Sequence, residues 1–194
     1  MTPPRVSLAG PDVFLPQPKA FAARKKALCS AYGFEGVFPL DAEIDAQDGS
    51  KHALALQISR MNEALIRSCQ LVIAHATPFR GPSCDVGTAY EMGFARALGL
   101  PVFAYGNVAD DFTARTSRAA GARPRPDGSL EDRDHMQIET FGLADNLMLT
   151  GAVQDSGGTW ITTSAGKDQL YTQLAGFEAC LEAAQRLFLE APSI

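Results

Sequence analysis

Asp85 and Glu91 are the two residues whose type and spacing equip this chain for chemistry. Six residues of helix advance roughly 9 Å, at about 1.5 Å per residue, but helical side chains tilt toward the N-terminus, so Glu91 leans back toward Asp85. At that end, free backbone N–H groups favour an anion or a sugar oxygen. Gly87, Thr88 and Ala95 share a face with Glu91, and these small neighbours let a ligand approach the carboxylate closely. Two carboxylates converging on one small site are suited to glycosyl transfer. The plain structural alternative is that Asp85 is a helix N-cap and Glu91 a solvated helix carboxylate.

The elements that must position this pair are legible around it. Leu71–Ala74 is a short apolar run ended by Thr77-Pro78 and Arg80-Gly81-Pro82-Ser83, which reads as an interior strand entering a turn. Asp85 then precedes a helix that turns Tyr90, Phe94, Ala97 and Leu98 to one face, with Gly99 and Pro101 as its stop. Upstream, Val6–Ala9 reads as a first strand cut off by Gly10-Pro11. No G-x-G-x-x-G follows, so a dinucleotide site of the Rossmann type has little support. Gly10 suits a sharp turn or a close ligand approach, and Asp12 and Phe14 fall beyond a strand's carboxyl end, where open α/β sheets place ligands. Phe14 is suited equally to stacking on a flat ring and to filling the core.

Pro18–Tyr32 is expected to be a helix with Phe21, Leu28 and Tyr32 inward and Arg24-Lys25-Lys26 as a solvated face. Val37–Leu40 reads as a second strand. In the acidic stretch Asp41–Ser50, the residues Asp41, Glu43 and Asp45 lack a glycine-centred calcium loop, so they read as solvated and not as a metal site. A helix over Ala53–Cys69 carries Leu54, Ile58, Met61, Leu65 and Ile66 as its stripe, with Asn62 beside it, on the surface or in a cleft. Val102–Ala104 completes the order β-α-β-α-β-α-β. That order predicts an α/β fold, a doubly wound parallel sheet of Rossmann or flavodoxin-like type flanked by helices. Gly106–His135 is rich in Arg, Asp, Pro and Gly and reads as a long loop, a lid or a subunit contact. A last helix carries Leu170, Leu174, Phe177, Leu181, Ala184 and Phe188 onto the sheet.

At 194 residues, all of this fits a single domain. A net charge of −5 argues against a nucleic-acid partner, which would demand clustered Lys and Arg. No run approaches the roughly 20 apolar residues that cross a bilayer, and no secretory signal opens the chain, so a cytoplasmic protein without a membrane partner is expected. Cys29, Cys69, Cys84 and Cys180 are too scattered for zinc or a disulfide framework, and Cys84 reads as a small buried filler.

With these residues in view, the chain resembles the nucleoside 2-deoxyribosyltransferase family. The resemblance rests on Ala9-Gly10-Pro11, on Thr77-Pro78-Phe79-Arg80-Gly81-Pro82-Ser83, on Asp85-Val86-Gly87 followed by Glu91-x-Gly93-x-Ala95, and on Asp145-Asn146-Leu147-Met148. It implies that Glu91 attacks the anomeric carbon and that Asp85 orients the nucleoside. It also implies that Asn146, with Met148 beside it, reaches a neighbouring subunit's site, and that Asn62 handles the base. A homo-oligomer built from dimers, up to a hexamer, is implied, as are a deoxynucleoside and a free nucleobase as partners, with neither a metal nor a redox cofactor. Two positions depart from the family. Ser7 stands where many relatives have a tyrosine that touches the nucleophile, and His75 replaces an Asn or Asp at a strand end, where it either protonates a leaving base or serves structure. Two other activities stay open. One is an N-glycosidase acting on a deoxynucleoside or its 5-monophosphate, with Arg80 and Ser83 holding the phosphate or merely bracing the turn. The other is a nucleotide-binding module without catalysis.

Overall fold

A computed structural model describes residues 2–41 and 50–188. Its centre is a five-stranded parallel sheet built from β1 (Arg5–Ala9), β2 (Glu35–Val37), β3 (Leu71–His75), β4 (Val102–Gly106) and β8 (Trp160–Thr162), in the order β2-β1-β3-β4-β8. This is the expected doubly wound sheet, with its strand order reversing beside β1 and β3. Registers run Val6 to Leu71, Val72 to Val102 and Ala104 to Trp160. All five residues of β3 and of β4 are buried, as the interior strands of a sheet covered on both faces require.

Side chains alternate along a strand, and here the alternation separates two cores. Val6, Leu8, Leu71, Ile73, Phe103 and Tyr105 pack against α1 (Pro18–Ala31) and α6 (Ala175–Phe188). On the other face, Ala9, Val72, Ala74, Val102 and Ala104 pack against α2 (Lys51–Arg67), α3 (Val86–Ala97) and α5 (Leu147–Asp155).

Several expectations need correction. The second strand is Glu35–Val37, and Pro39, which lacks an N–H, opens a 3-10 turn through Asp41 in place of the expected strand to Leu40. Asp41 accepts from the Phe38 amide and pairs with Lys26, while Glu43 and Asp45 lie outside the described residues. Residues 106–135, read as a long loop, carry a helix and short strands. Asp111 caps α4 (Phe112–Ala120), and β5 (Arg123–Pro124), β6 (Leu130–Glu131) and β7 (Gln137–Ile138) form a small antiparallel sheet. Two further elements have no counterpart in the sequence reading. These are α5, whose glycine-interrupted sequence hides it, and β8, which joins the edge of the sheet with only three residues.

The solvated face expected for α1 is also wrong at one position. Phe21, Lys25 and Cys29 recur every four residues and all three are buried. Lys25 is 0 % exposed, with its ammonium 2.8 Å from Asp12 Oδ2 and 4.7 Å from the centroid of Phe177. A buried charge is tolerated because it is paired.

Candidate active site

α3 begins where Asp85 turns its side chain back over the first turn. Its Oδ2 accepts from the amides of Gly87 at 3.0 Å and Thr88 at 3.2 Å, so the N-cap reading of Asp85 holds. A Cβ on Gly87 would stand 2.9 Å from that oxygen, which is why this position carries no side chain. The caps occupy Oδ2 and leave Oδ1 for another partner.

The packing face of α3 is Thr88, Met92 and Ala95, spaced by four and three, and not Tyr90 and Leu98, which are exposed. The face carrying Gly87 and Glu91 therefore turns sideways toward α2. Between the two helices lies an open cavity of about 290 Å³, lined by Ala55, Ile58, Ser59, Asn62, Glu63, Ile66, Gly87, Tyr90 and Glu91. Asn62, Gly87 and Glu91, separated by up to 29 positions in the chain, thus share one wall. Glu91 is half-buried, and burial together with the nearby Asp85 pushes its pKa up to about 7. Glu91 is thus a partly buried helix carboxylate on a cavity wall.

Two polar wall residues escaped the sequence reading. Glu63 accepts a 2.5 Å hydrogen bond from the Tyr90 hydroxyl across the cavity, and Ser59 lies one turn before it. Their signal was present in the spacing, since Ala55, Ser59, Asn62 and Ile66 fall on one helical face.

Other expected contacts lie elsewhere. His75 sits on β3 at the parity of Leu71 and Ile73, so it faces α1 and α6, on the opposite side of the sheet from Glu91. It is fully buried, stacked on Tyr105 at 4.5 Å, with Nδ1 2.5 Å from Asp12 Oδ1 and Nε2 2.8 Å from Thr77 Oγ1. Burial lowers its pKa against the opposing pull of Asp12, which favours the neutral ring. Its ring nitrogens are both engaged in a buried hydrogen-bond chain on the far face of the sheet. Asp12, also expected at the ligand, is buried between His75 and Lys25. Burial alone would raise its pKa, but Lys25 and His75 outweigh it and hold the carboxyl at about 2.

Gly10 adopts φ +150, and a Cβ there would come 2.7 Å from the Cβ of His75, so the backbone passes close to the base of that side chain. Phe14 is 56 % exposed and stacks on Phe79 at 5.5 Å, with the Arg80 guanidinium 5.0 and 4.6 Å from the two ring centroids. Asn146 caps α5, accepting from the Met148 amide at 3.0 Å and donating to Glu139 at 2.6 Å. Met148 is 71 % exposed, and neither residue lines the Glu91 cavity of its own chain. Ser7 is buried in β1, at the parity of Ala9 on the α2 and α3 face. Cys84 is buried, and its thiol is pushed up to about 12, as befits a filler and not a nucleophile. Among the described residues, no helix is long and apolar enough to cross a membrane.

A family model described as nucleoside 2-deoxyribosyltransferase matches residues 6–148. An uncharacterized protein of Schizosaccharomyces pombe is 29% identical over 167 residues, covering 80% of this chain and 79% of that protein. Among solved structures, a 2-desoxiribosyltransferase from Leishmania mexicana aligns with a TM-score of 0.58 at 28% identity, over 93% of this chain and 98% of that one. A 2-deoxyribosyltransferase from Bacillus psychrosaccharolyticus aligns more remotely, with a TM-score of 0.45 at 16% identity over 59% of this chain and 81% of that one.

Proposed function

Given that the chain belongs to the nucleoside 2-deoxyribosyltransferase family, we propose that it exchanges the nucleobase of a 2-deoxynucleoside by double displacement, with Glu91 as the nucleophile. The observation that carries this reading is the half-buried Glu91 carboxylate on the wall of a cavity that also holds Asn62, with Gly87 leaving the approach open.

In the first step, a Glu91 oxygen bonds to the anomeric carbon as the carbon–nitrogen bond breaks, and the base leaves with the electron pair and takes up a proton from water at the open cavity. In the second, a nitrogen of the incoming base attacks the same carbon and gives up its N–H proton to water, the ester bond breaks, and Glu91 returns as a carboxylate with configuration retained. Both steps pass through an oxocarbenium-like state, which a neighbouring anion stabilises. Asp85 supplies that field from the start of α3 and offers Oδ1 to a sugar hydroxyl. Asn62, with a donor and an acceptor on one side chain, suits the edge of a base.

Glu63 and Glu91 line one small cavity, and the Asp85 carboxylate stands close enough to act on the charge of Glu91. Such a site repels phosphate, which favours an uncharged nucleoside over a 5-monophosphate.

A 2-fluoro-arabinosyl nucleoside forms the ester but resolves it slowly, so the trapped protein should gain the mass of one sugar, mapped by peptide mass spectrometry to Glu91. Glu91→Gln should bind nucleoside without turnover. An adduct on any other residue refutes the assignment. Supplying a second free base separates base exchange, which yields a new nucleoside, from hydrolysis, which yields free deoxyribose.

A further inference from the structure

Beneath the start of α3 lies a buried ion pair that the proposed chemistry does not itself use. The Asp145 carboxylate is 0 % exposed. Its Oδ1 accepts from the Ser83 hydroxyl at 2.5 Å and the Asn146 amide at 2.8 Å, its Oδ2 accepts from the Cys84 amide at 3.0 Å, and Arg115 Nη2 lies 3.5 Å from Oδ2. Arg115 reaches up from α4 to the same two segments. Its Nε donates to the Pro82 carbonyl at 2.7 Å and its Nη2 to the Ala144 carbonyl at 2.7 Å, while Nη1 donates to the Asp110 carbonyl.

The carboxylate thus grips side chain and backbone of Ser83 and Cys84 on one segment and Asn146 on the other, and the guanidinium grips the carbonyls just before each. The first segment ends at Asp85, immediately after Cys84, and the second ends at Asn146, immediately after Asp145. A charged fork with five fixed donors, opposed to a carboxylate with four acceptor positions, holds such a junction to one geometry.

Resting on the reading of Asp85 and Glu91 above, we infer that Asp145 and Arg115 are positioning residues for the deoxyribosyl transfer. They hold the segment that enters α3, and so keep Asp85 seated on the first turn of the helix that carries Glu91, and they set the N-terminus of α5 that presents Asn146. One buried pair therefore aligns the residue offered to the chain's own pocket and the residue offered to a neighbour's. The segment that carries Arg115 is a support for the site and not a lid over it.

A displacement of about 1 Å costs on the order of a hundredfold in rate when the misplaced groups act at the reacting carbon. Asp145→Asn should therefore lower kcat by about tenfold to a hundredfold while KM changes little. A residue that only stabilises the fold would lower the active fraction and leave the pH profile where it is. Misplacing Asp85 weakens its hold on the Glu91 titration, so the acid limb of kcat/KM should move down by about half a pH unit or more. Glu63 and Tyr90, the other titratable groups on the cavity wall, are untouched by this substitution.

Ser83→Ala removes a single hydroxyl from the same carboxylate and should show a smaller shift in the same direction. It keeps the test decisive if Asp145→Asn fails to fold. The inference is overturned if the acid limb of the folded variants coincides with that of the unsubstituted protein, or if kcat per folded molecule is unchanged. If the unsubstituted protein itself forms no Glu91 ester, the reading of the site fails, and this inference, which rests on it, is overturned with it.

Discussion

Glu91 is held in a state that costs the fold something. Its carboxyl ionises near pH 7 in the native protein, against about 4.5 for an unperturbed glutamate. The native state therefore binds a proton more tightly than the unfolded chain does, so this residue's contribution is fully present below about pH 4.5 and is lost as pH rises through 7. At one pH unit per 1.4 kcal/mol, the penalty at pH 8 is about 2 kcal/mol once the water at the open cavity mouth is allowed for. Glu91→Gln should accordingly leave stability unchanged near pH 4 and raise it by about that amount at pH 8, measured as urea midpoints across the range. The same titration gives activity the opposite slope. A nucleophile must be ionised, so kcat/KM should climb through pH 7.

At the scale of elements, the face of the sheet opposite Glu91 is held by a chain of polar contacts running from Lys25 on α1 through Asp12 to His75 on β3 and Thr77. Thr77 Oγ1 also accepts from the Asn107 amide, at 3.0 Å, just past β4. This chain ties the carboxyl ends of β1, β3 and β4 together below the loops of the site. Lys25→Met would strand the Asp12 carboxylate in the core, and breaking one partner of a buried pair costs about 3–5 kcal/mol. The double substitution Lys25→Met with Asp12→Asn should recover much of that loss. A single substitution no worse than the double one in urea denaturation would show that the pair is not what docks α1.

The whole molecule leaves Val86 86 % and Met148 71 % exposed, together with Tyr90 and Leu147, on the adjacent helices α3 and α5. On the proposed reading, these exposed apolar side chains meet a second copy of the chain. On the proposed reading, Asn146 serves a neighbouring pocket, since it does not line its own. Glu91→Gln and Asn146→Ala would then each be inactive alone, while a mixed assembly would contain one pocket with both residues intact. Activity restored by mixing and refolding the two variants would support a shared pocket. Mixtures as dead as their parents would place Asn146 within a single chain.

Much of this was legible along the chain. The apolar runs of β3 and β4, the glycine and proline punctuation and the three- and four-residue spacing of Phe177, Leu181, Ala184 and Phe188 depend on near neighbours, so α/β order and the Asp85-to-Glu91 helix start could be read directly. What escaped depended on distant partners. Lys25 occupies a core position of its helix only because Asp12 arrives to neutralise it, and Arg115 orders α4 only because the carbonyls of Pro82 and Ala144 converge on it. The parity of His75 on its strand could be counted, but which face of the sheet held the nucleophile was decided by how α3 packs. Sequence by itself determined which residues could do chemistry and in what order the elements follow. Tertiary structure decided which side of the sheet each one faces, because burial and charge pairing are settled between residues far apart in the chain.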